Sequence, residues 1–339
     1  MTHAAPERAL RWGVLGVADI AVKQVIPAMR LTRSASVDAI ASREGAKAEA
    51  AARSLGIPRA HGSYEALLAD PAIDAVYIPL PNHLHVPWTL RAAEAGKHVL
   101  CEKPMGMNAA EVRALLPVRE RTGVVIGEAF MTRTHPQWRR VRELIAAGRI
   151  GELRMVTGHF SYYRRDPDDV RSRVEWGGGV LLDIGCYPVT MARWLFGAEP
   201  VEVACALERD PDFKVDRYVS GVLRFPAGQA SFTVAGQAAL WQRMEIFGTR
   251  GRVEVEIPFN PPATHAARLL TDDGRDLTGG GIGVETFAPV NQYTLQAERF
   301  ADAVRGRGAV PVGLEDAIGN MAVLDALFRA AGSGRWEKP

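Results

Sequence analysis

Proton transfer is most readily built here from a lysine at the end of one strand and a tyrosine on one helix. Residues 98–104 read HVLCEKP: an apolar run ends in Glu102 and Lys103, and Pro104 restrains the backbone behind them. Proline disfavours the helical region for its predecessor, so Lys103 is held extended at a strand end. Only six of the 41 basic residues are lysines, so a lysine at this place is not background. Burial lowers a lysine's pKa readily, which suits proton transfer or the tuning of a neighbouring hydroxyl. Residues 177–197 read GGGVLLDIGCYPVTMARWLFG, a glycine entry followed by helical spacing. Asp183 and Tyr187 are four apart and share a helix face, with Pro188 beside them as a possible kink. A phenol is a poor base at its ordinary pKa near ~10, but a nearby ammonium stabilises the phenolate. The carboxylate can orient a substrate hydroxyl. His83 and His85 form an HxH pair, yet no Asp, Glu or Cys set completes a ligand sphere, and no metal is expected.

These groups need a frame that collects strand ends. Strands are predicted over 10–17, 36–42, 74–80, 98–104 and 123–130, with helical patterns between them. One of those helices, NAAEVRALL, has Asn108 and Glu111 in capping-box spacing. This alternation predicts an α/β, doubly wound parallel sheet over residues 1–128. After Phe130 one helix precedes strand-like segments with hairpin chemistry at FPAGQA and GTRG. Residues 129–339 are therefore expected to form an α+β domain on a large, mostly antiparallel open sheet. Two closing helices, near 292–305 and 314–331, can pack back on either domain.

The first strand runs into Gly16, Val17, Ala18, Asp19, Ile20 and Ala21. Against the GxGxxG/A fingerprint Gly16 fills the first position and Ala21 the last, while Ala18 replaces the middle glycine. Placed between a first strand and a helix, this turn predicts dinucleotide binding. An NAD site normally ends its second strand in a carboxylate for the ribose 2′-hydroxyl. Here that end reads Ala41, Ser42, Arg43, a hydroxyl and a guanidinium suited to a 2′-phosphate, so NADP is expected over NAD.

Composition narrows the class. The chain has 339 residues, 47% apolar and 24% charged, the balance of a two-domain globular protein. A net charge of +2 with interleaved signs marks neither a nucleic-acid nor a membrane surface. The three cysteines are scattered, and neither a leader of signal-peptide type nor a membrane span is apparent in the sequence, so a cytoplasmic setting is expected.

The motifs in order, WGVLGVADIA, PLPNHLH (79–85), AGKHVLCEKPMGMN, GEAFMTRTHP (127–136), GRIGEL (148–153) and GGGVLLDIGCYPV (177–189), resemble the Gfo/Idh/MocA oxidoreductase family over nearly the whole chain. The resemblance implies a Rossmann domain plus an open α/β substrate domain, a nicotinamide hydride carrier and sugar, inositol or related alcohol substrates. It also implies a homo-oligomer, dimer or tetramer, formed through the second domain's sheet. Carried over by position, Lys103 matches the family's catalytic lysine and Asp183 its substrate-orienting aspartate. Tyr187 falls where a subgroup with glucose–fructose oxidoreductases, dihydrodiol dehydrogenases and aldose dehydrogenases carries tyrosine. Leu80, Asn82, His85 and Glu102 match positions lining the cofactor, and Glu128 one near the nicotinamide. Arg173 and Trp176 are candidates to face the substrate; Trp176 suits stacking on a sugar ring or packing in the core. The expectation is an NADP-dependent oxidoreductase of a cyclic sugar or polyol, such as a pentose or hexose pyranose. The rivals are a ketosugar or anhydrosugar reductase and a non-catalytic NADP-binding redox regulator.

Overall fold

The first apolar run forms strand β1 (Leu10–Leu15), and the computed structural model describes residues 8–339. Part of the leader reading rests on residues 1–7, which lie outside the described residues. Around β1 gather β2 (Ala35–Ala41), β3 (Arg59–His61), β4 (Ala75–Ile78), β5 (His98–Cys101) and β6 (Ile126–Glu128). Their order is β3-β2-β1-β4-β5-β6, and all pairs are parallel. Every residue of β4 is buried, as a strand covered by helices on both faces requires. The order reverses next to β1, which puts the strand ends of β1, β4 and β5 around one crevice, where sheets of this kind bind ligands.

Three local features differ from expectation. β3 and the short helix Tyr64–Leu68 have no apolar run long enough to announce them. The first helix opens with a wide π turn, Ala21–Val25, before one α turn, Ile26–Met29. The helix predicted over NAAEVRALL stops at Arg113, and a second one, Leu116–Thr122, with Pro117 in its first turn, follows it. The Ala109 N–H is held at 2.9 Å by Asp325, 216 residues away, a partner no capping-box pattern can announce.

The chain clusters into two compact units. The first comprises residues through Met105, 111–131 and 291–314; the second comprises 106–110, 132–290 and 315–339. The expected single boundary at 128/129 is thus replaced by several crossings, and the two closing helices divide. Helix Gln292–Val304 joins the first unit, where Phe300 packs on Trp12 with ring centroids 5.1 Å apart. Its Thr294 hydroxyl donates to the Ala28 carbonyl at 2.8 Å. Helix Leu314–Ser333 belongs to the second unit from Glu315 onward, where Asp316 accepts from Arg193 at 2.8 Å.

The second unit is built on eight strands: β7 (Leu153–Tyr163), β8 (Glu202–Arg209), β9 (Asp216–Phe225), β10 (Gly228–Ala235), β11 (Gln237–Gly248), β12 (Arg252–Val255), β13 (Ala267–Asp272) and β14 (Ile282–Phe287). Their order is β14-β13-β12-β11-β7-β10-β9-β8, antiparallel except for β7 beside β10. Helix Cys186–Phe196 packs on β7 and β10 in the middle of the sheet. Gly158 of β7 makes that approach possible, since a Cβ there would lie 2.9 Å from Pro188. No helix among the described residues is long and apolar enough to cross a membrane.

Candidate active site

In the first unit the site begins where β1 stops. Gly16 has φ +117°, a conformation costly for any other residue, and a Cβ there would come 3.1 Å from Leu80. Val17 to Ile20 lead from this turn into the π turn, and Asp19 pairs with Lys23 at 2.6 Å. Wide turns of this kind occur often at functional sites. At the end of β2, Ser42 is buried, and its Oγ accepts the Glu44 N–H at 3.2 Å. Arg43 is exposed and lies beside Tyr64, whose phenol burial pushes up and Arg43 pulls back. Tyr64 in turn meets Trp88 edge-on at 4.8 Å. A bare glycine turn at a helix start and a hydroxyl–guanidinium pair at the next strand end fit a dinucleotide. The chemistry of the turn suits a pyrophosphate and that of the pair a ribose phosphate.

The segment carrying Lys103 is fastened from three sides. His85 is 1% exposed, and its Nδ1 and Nε2 lie 2.7 Å from the Pro104 carbonyl and 2.6 Å from that of Leu80. Burial lowers its pKa to about 4, outweighing the two carbonyls that favour the doubly protonated ring. His85 therefore lies between the segments that follow β4 and β5, each ring nitrogen facing a backbone carbonyl, and the neutral ring donates to one of the two. Glu102 accepts from the Tyr77 hydroxyl at 2.6 Å through Oε1 and from the Lys103 N–H at 3.3 Å through Oε2. Burial, and then Glu102, push the Tyr77 phenol well up, so Tyr77 stays a donor. Buried Glu128 accepts the Met105 N–H at 2.7 Å, two residues past the lysine. The Lys103–Pro104 peptide is cis. Asn82 lies on the short 3₁₀ turn Asn82–Leu84 between β4 and the helix that starts at His85.

In the second unit the triple glycine sets the helix entry. Gly179 has φ +103°, and a Cβ there would sit 2.0 Å from Asp216. The buried Asp216 carboxylate accepts the Leu181 N–H at 2.6 Å and anchors the first turn. That turn, Leu181–Gly185, is again a π turn, not the plain helix of the sequence reading, and it carries Asp183. Asp183 Oδ2 accepts from the Tyr162 hydroxyl and from Arg171 Nε, each at 2.7 Å. Tyr187 is 5% exposed, with its ring 5.3 Å from Phe259 and 6.0 Å from Phe160 between centroids. Arg173, between two short 3₁₀ turns before the glycines, lies 5.7 Å over the Trp176 ring. Trp176 is 36% exposed, so it is a surface aromatic and not a core residue.

Of the expected residues, the first unit holds Gly16, Val17, Ala18, Asp19, Ile20, Ser42, Arg43, Leu80, Asn82, His85, Glu102, Lys103 and Glu128. The second holds Arg173, Trp176, Asp183 and Tyr187. Sequence reasoning missed Tyr77, Tyr162 and Arg171. Tyr162 had a weak signal, its spacing two residues from Phe160 on β7, which puts both on the helix-covered face. Arg171 had none.

Residues 10–130 match the oxidoreductase family with an NAD-binding Rossmann fold, and residues 138–254 match the Gfo/Idh/MocA C-terminal domain. An uncharacterized oxidoreductase of Rhizobium meliloti is 47% identical over 97% of this chain and 98% of its own length. A D-xylose 1-dehydrogenase (NADP(+)) of Haloferax volcanii is 41% identical over 96% of this chain and 98% of its own. Among solved structures, a 3-ketoreductase from Actinomadura kijaniata in complex with NADP and TDP-benzene superposes with a TM-score of 0.88. It is 32% identical, covering 95% of this chain and 98% of the other. With both domains matched and relatives aligned end to end, this chain belongs to the Gfo/Idh/MocA family of NAD(P)-dependent oxidoreductases.

Proposed function

We propose that the protein is an NADP-dependent dehydrogenase of a cyclic sugar or polyol, a pentose or hexose pyranose, acting in the cytoplasm as a homo-oligomer. The observation that carries the reading is the second unit's helix, on which a hydrogen-bonded carboxylate, Asp183, precedes the buried phenol of Tyr187 by four residues. The nearly full-length likeness to a D-xylose dehydrogenase supports the substrate class.

The nicotinamide coenzyme, when bound, supplies the hydride acceptor. Gly16 to Ile20 would hold its pyrophosphate at the helix start, and Ser42 and Arg43 would hold its 2′-phosphate. Asp183 accepts a hydrogen bond from a substrate hydroxyl and so fixes which carbon faces the coenzyme. Tyr187 takes the proton of the hydroxyl being oxidised at its phenol oxygen. Lys103 contributes the ammonium that favours the phenolate, a pairing that rests on the EKP and DIGCY motifs. Phe160 and Phe259 pack against the phenol ring. In the opposite direction the same pair protonates a carbonyl oxygen.

The likeness to a 3-ketoreductase supports a second reading, reduction of a ketosugar, free or nucleotide-linked. One spectrophotometric panel separates the two. Aldoses and polyols with NADP are followed for NADPH formation, and ketosugars with NADPH for its consumption. Oxidation of a pentose or hexose as the fastest reaction supports the first reading. Turnover confined to ketosugars supports the second. No turnover in either direction despite NADPH binding leaves the redox-regulator reading in place of both.

A further inference from the structure

Asp183 does not stand alone in its turn. Two donors from different segments, Tyr162 on β7 and Arg171 on the loop before the glycines, converge on the same oxygen at 2.7 Å. Arg171 is itself set beforehand: its N–H and its Nη1 reach Asp169 Oδ1 at 2.8 Å and 3.3 Å. Asp169 also pairs with Arg164 at 2.5 Å. The guanidinium fork thus spans two carboxylates, a geometry that a point-charge ammonium cannot reproduce. The Asp183 side chain is 13% exposed, so losing the guanidinium would leave a mostly buried carboxylate without the cation that faces its Oδ2. Such a group takes up a proton or turns away, and either change spoils it as an acceptor.

We infer that Arg171 is a positioning residue of the oxidoreductase reaction, holding Asp183 ionised and aimed, with Tyr162 as the second brace. The inference rests on the proposed role of Asp183 toward a substrate hydroxyl. Its consequence is a division of labour: Asp183 remains a hydrogen-bond acceptor throughout, and proton transfer is left to Tyr187.

The test compares R171Q, R171K, Y162F, D183N and the double variant R171Q/D183N. The probe is the fastest sugar among D-xylose, D-glucose and their polyols, with NADP as coenzyme. NADPH affinity is measured separately by fluorescence. R171Q should raise the sugar KM about 10- to 100-fold, the cost of misplacing a substrate contact, with kcat changed far less. NADPH affinity should stay within about twofold in every variant, because no first-unit residue is touched. R171K should recover part of the loss, and Y162F should lose about 3- to 10-fold, because one donor to the carboxylate is gone while the guanidinium still holds it. The double variant should be no worse than D183N, since both changes disable one device. A wild-type sugar KM in R171Q, or losses that multiply in the double variant, would show that Arg171 only pins its loop. Should R171Q fail to fold, a wild-type sugar KM in Y162F overturns the inference by the same logic. Wild-type kinetics in D183N would instead remove the proposed role of Asp183, and this inference with it. Failure of the Arg171 variants alone leaves that role standing.

Discussion

Replacing Arg43 by alanine should cost the enzyme its preference between coenzymes without harming the cradle they share. Arg43 is exposed at the end of β2, while its neighbour Ser42 is buried and ties down the Glu44 N–H. The turn therefore survives the loss of the guanidinium. A charge-assisted hydrogen bond to phosphate spans about 1.5–3 kcal/mol when sheltered, and exposed ion pairs fall below about 1 kcal/mol. An exposed guanidinium on a doubly charged phosphate belongs between, at about 1–1.5 kcal/mol, or about a five- to twelvefold rise in the NADP KM. The KM for NAD, which has no phosphate there, should stay where it is. Salt supplies a second signature. The screening length shrinks from about 10 Å at 0.1 M to about 3 Å at 1 M, so the gap between wild type and variant should narrow as salt rises. The assay is steady-state kinetics with both coenzymes, each at low and high salt. Equal efficiency with NAD and NADP in the unmutated enzyme would refute the reasoning. So would a variant in which both KM values rise together.

Tyr187→Phe should lower turnover about 10²–10⁴-fold while NADP still binds, the span of general acid–base catalysis. Lys103→Ala should also cut turnover and move the alkaline-favoured limb of the oxidation pH profile upward, because the phenol loses its stabilising cation; the double variant should be little worse than the poorer single one. Near-normal turnover in Tyr187→Phe, or multiplying losses, would mean the proton takes another route. Dialysis against EDTA should leave turnover unchanged, since no group of three His, Cys, Asp or Glu side chains that could hold a metal gathers among the described residues; zinc-restored activity would contradict this. Burial raises the Asp74 carboxyl, but hydrogen bonds from Arg11 and Arg8 outweigh it and bring its pKa down to about 2 from 3.8. A depressed pKa contributes stability above 3.8 that is lost as pH falls toward 2, about 2 kcal/mol in all. Asp74→Asn should therefore unfold more easily than wild type at pH 5 and equally easily near pH 2, as followed by thermal melts.

What the sequence determined by itself is what local pattern encodes. Alternating apolar runs and helical periods specify the parallel sheet, because a strand buried on both faces must be apolar throughout, as β4 is. The glycine of the first turn and the absence of a carboxylate at 42–43 are readable for the same reason: each depends on what one residue's atoms permit. Six motifs in one order carried the family, and with it Lys103, Asp183 and Tyr187 as the residues to watch. The braces were not readable. His85 reads as a cofactor-lining position in a motif, and nothing in that motif announces that its ring faces the carbonyls of Leu80 and Pro104. Asp183 reads as a lone carboxylate, yet Tyr162 and Arg171 reach it from 21 and 12 residues away. The helix at 292–304 reads as an amphipathic element of no stated allegiance, yet Phe300 on Trp12 assigns it to the first unit. In each case the deciding partner is set by loop closure and packing, which bring distant side chains within hydrogen-bonding or van der Waals reach. No local period records that distance, so only the tertiary structure decides it.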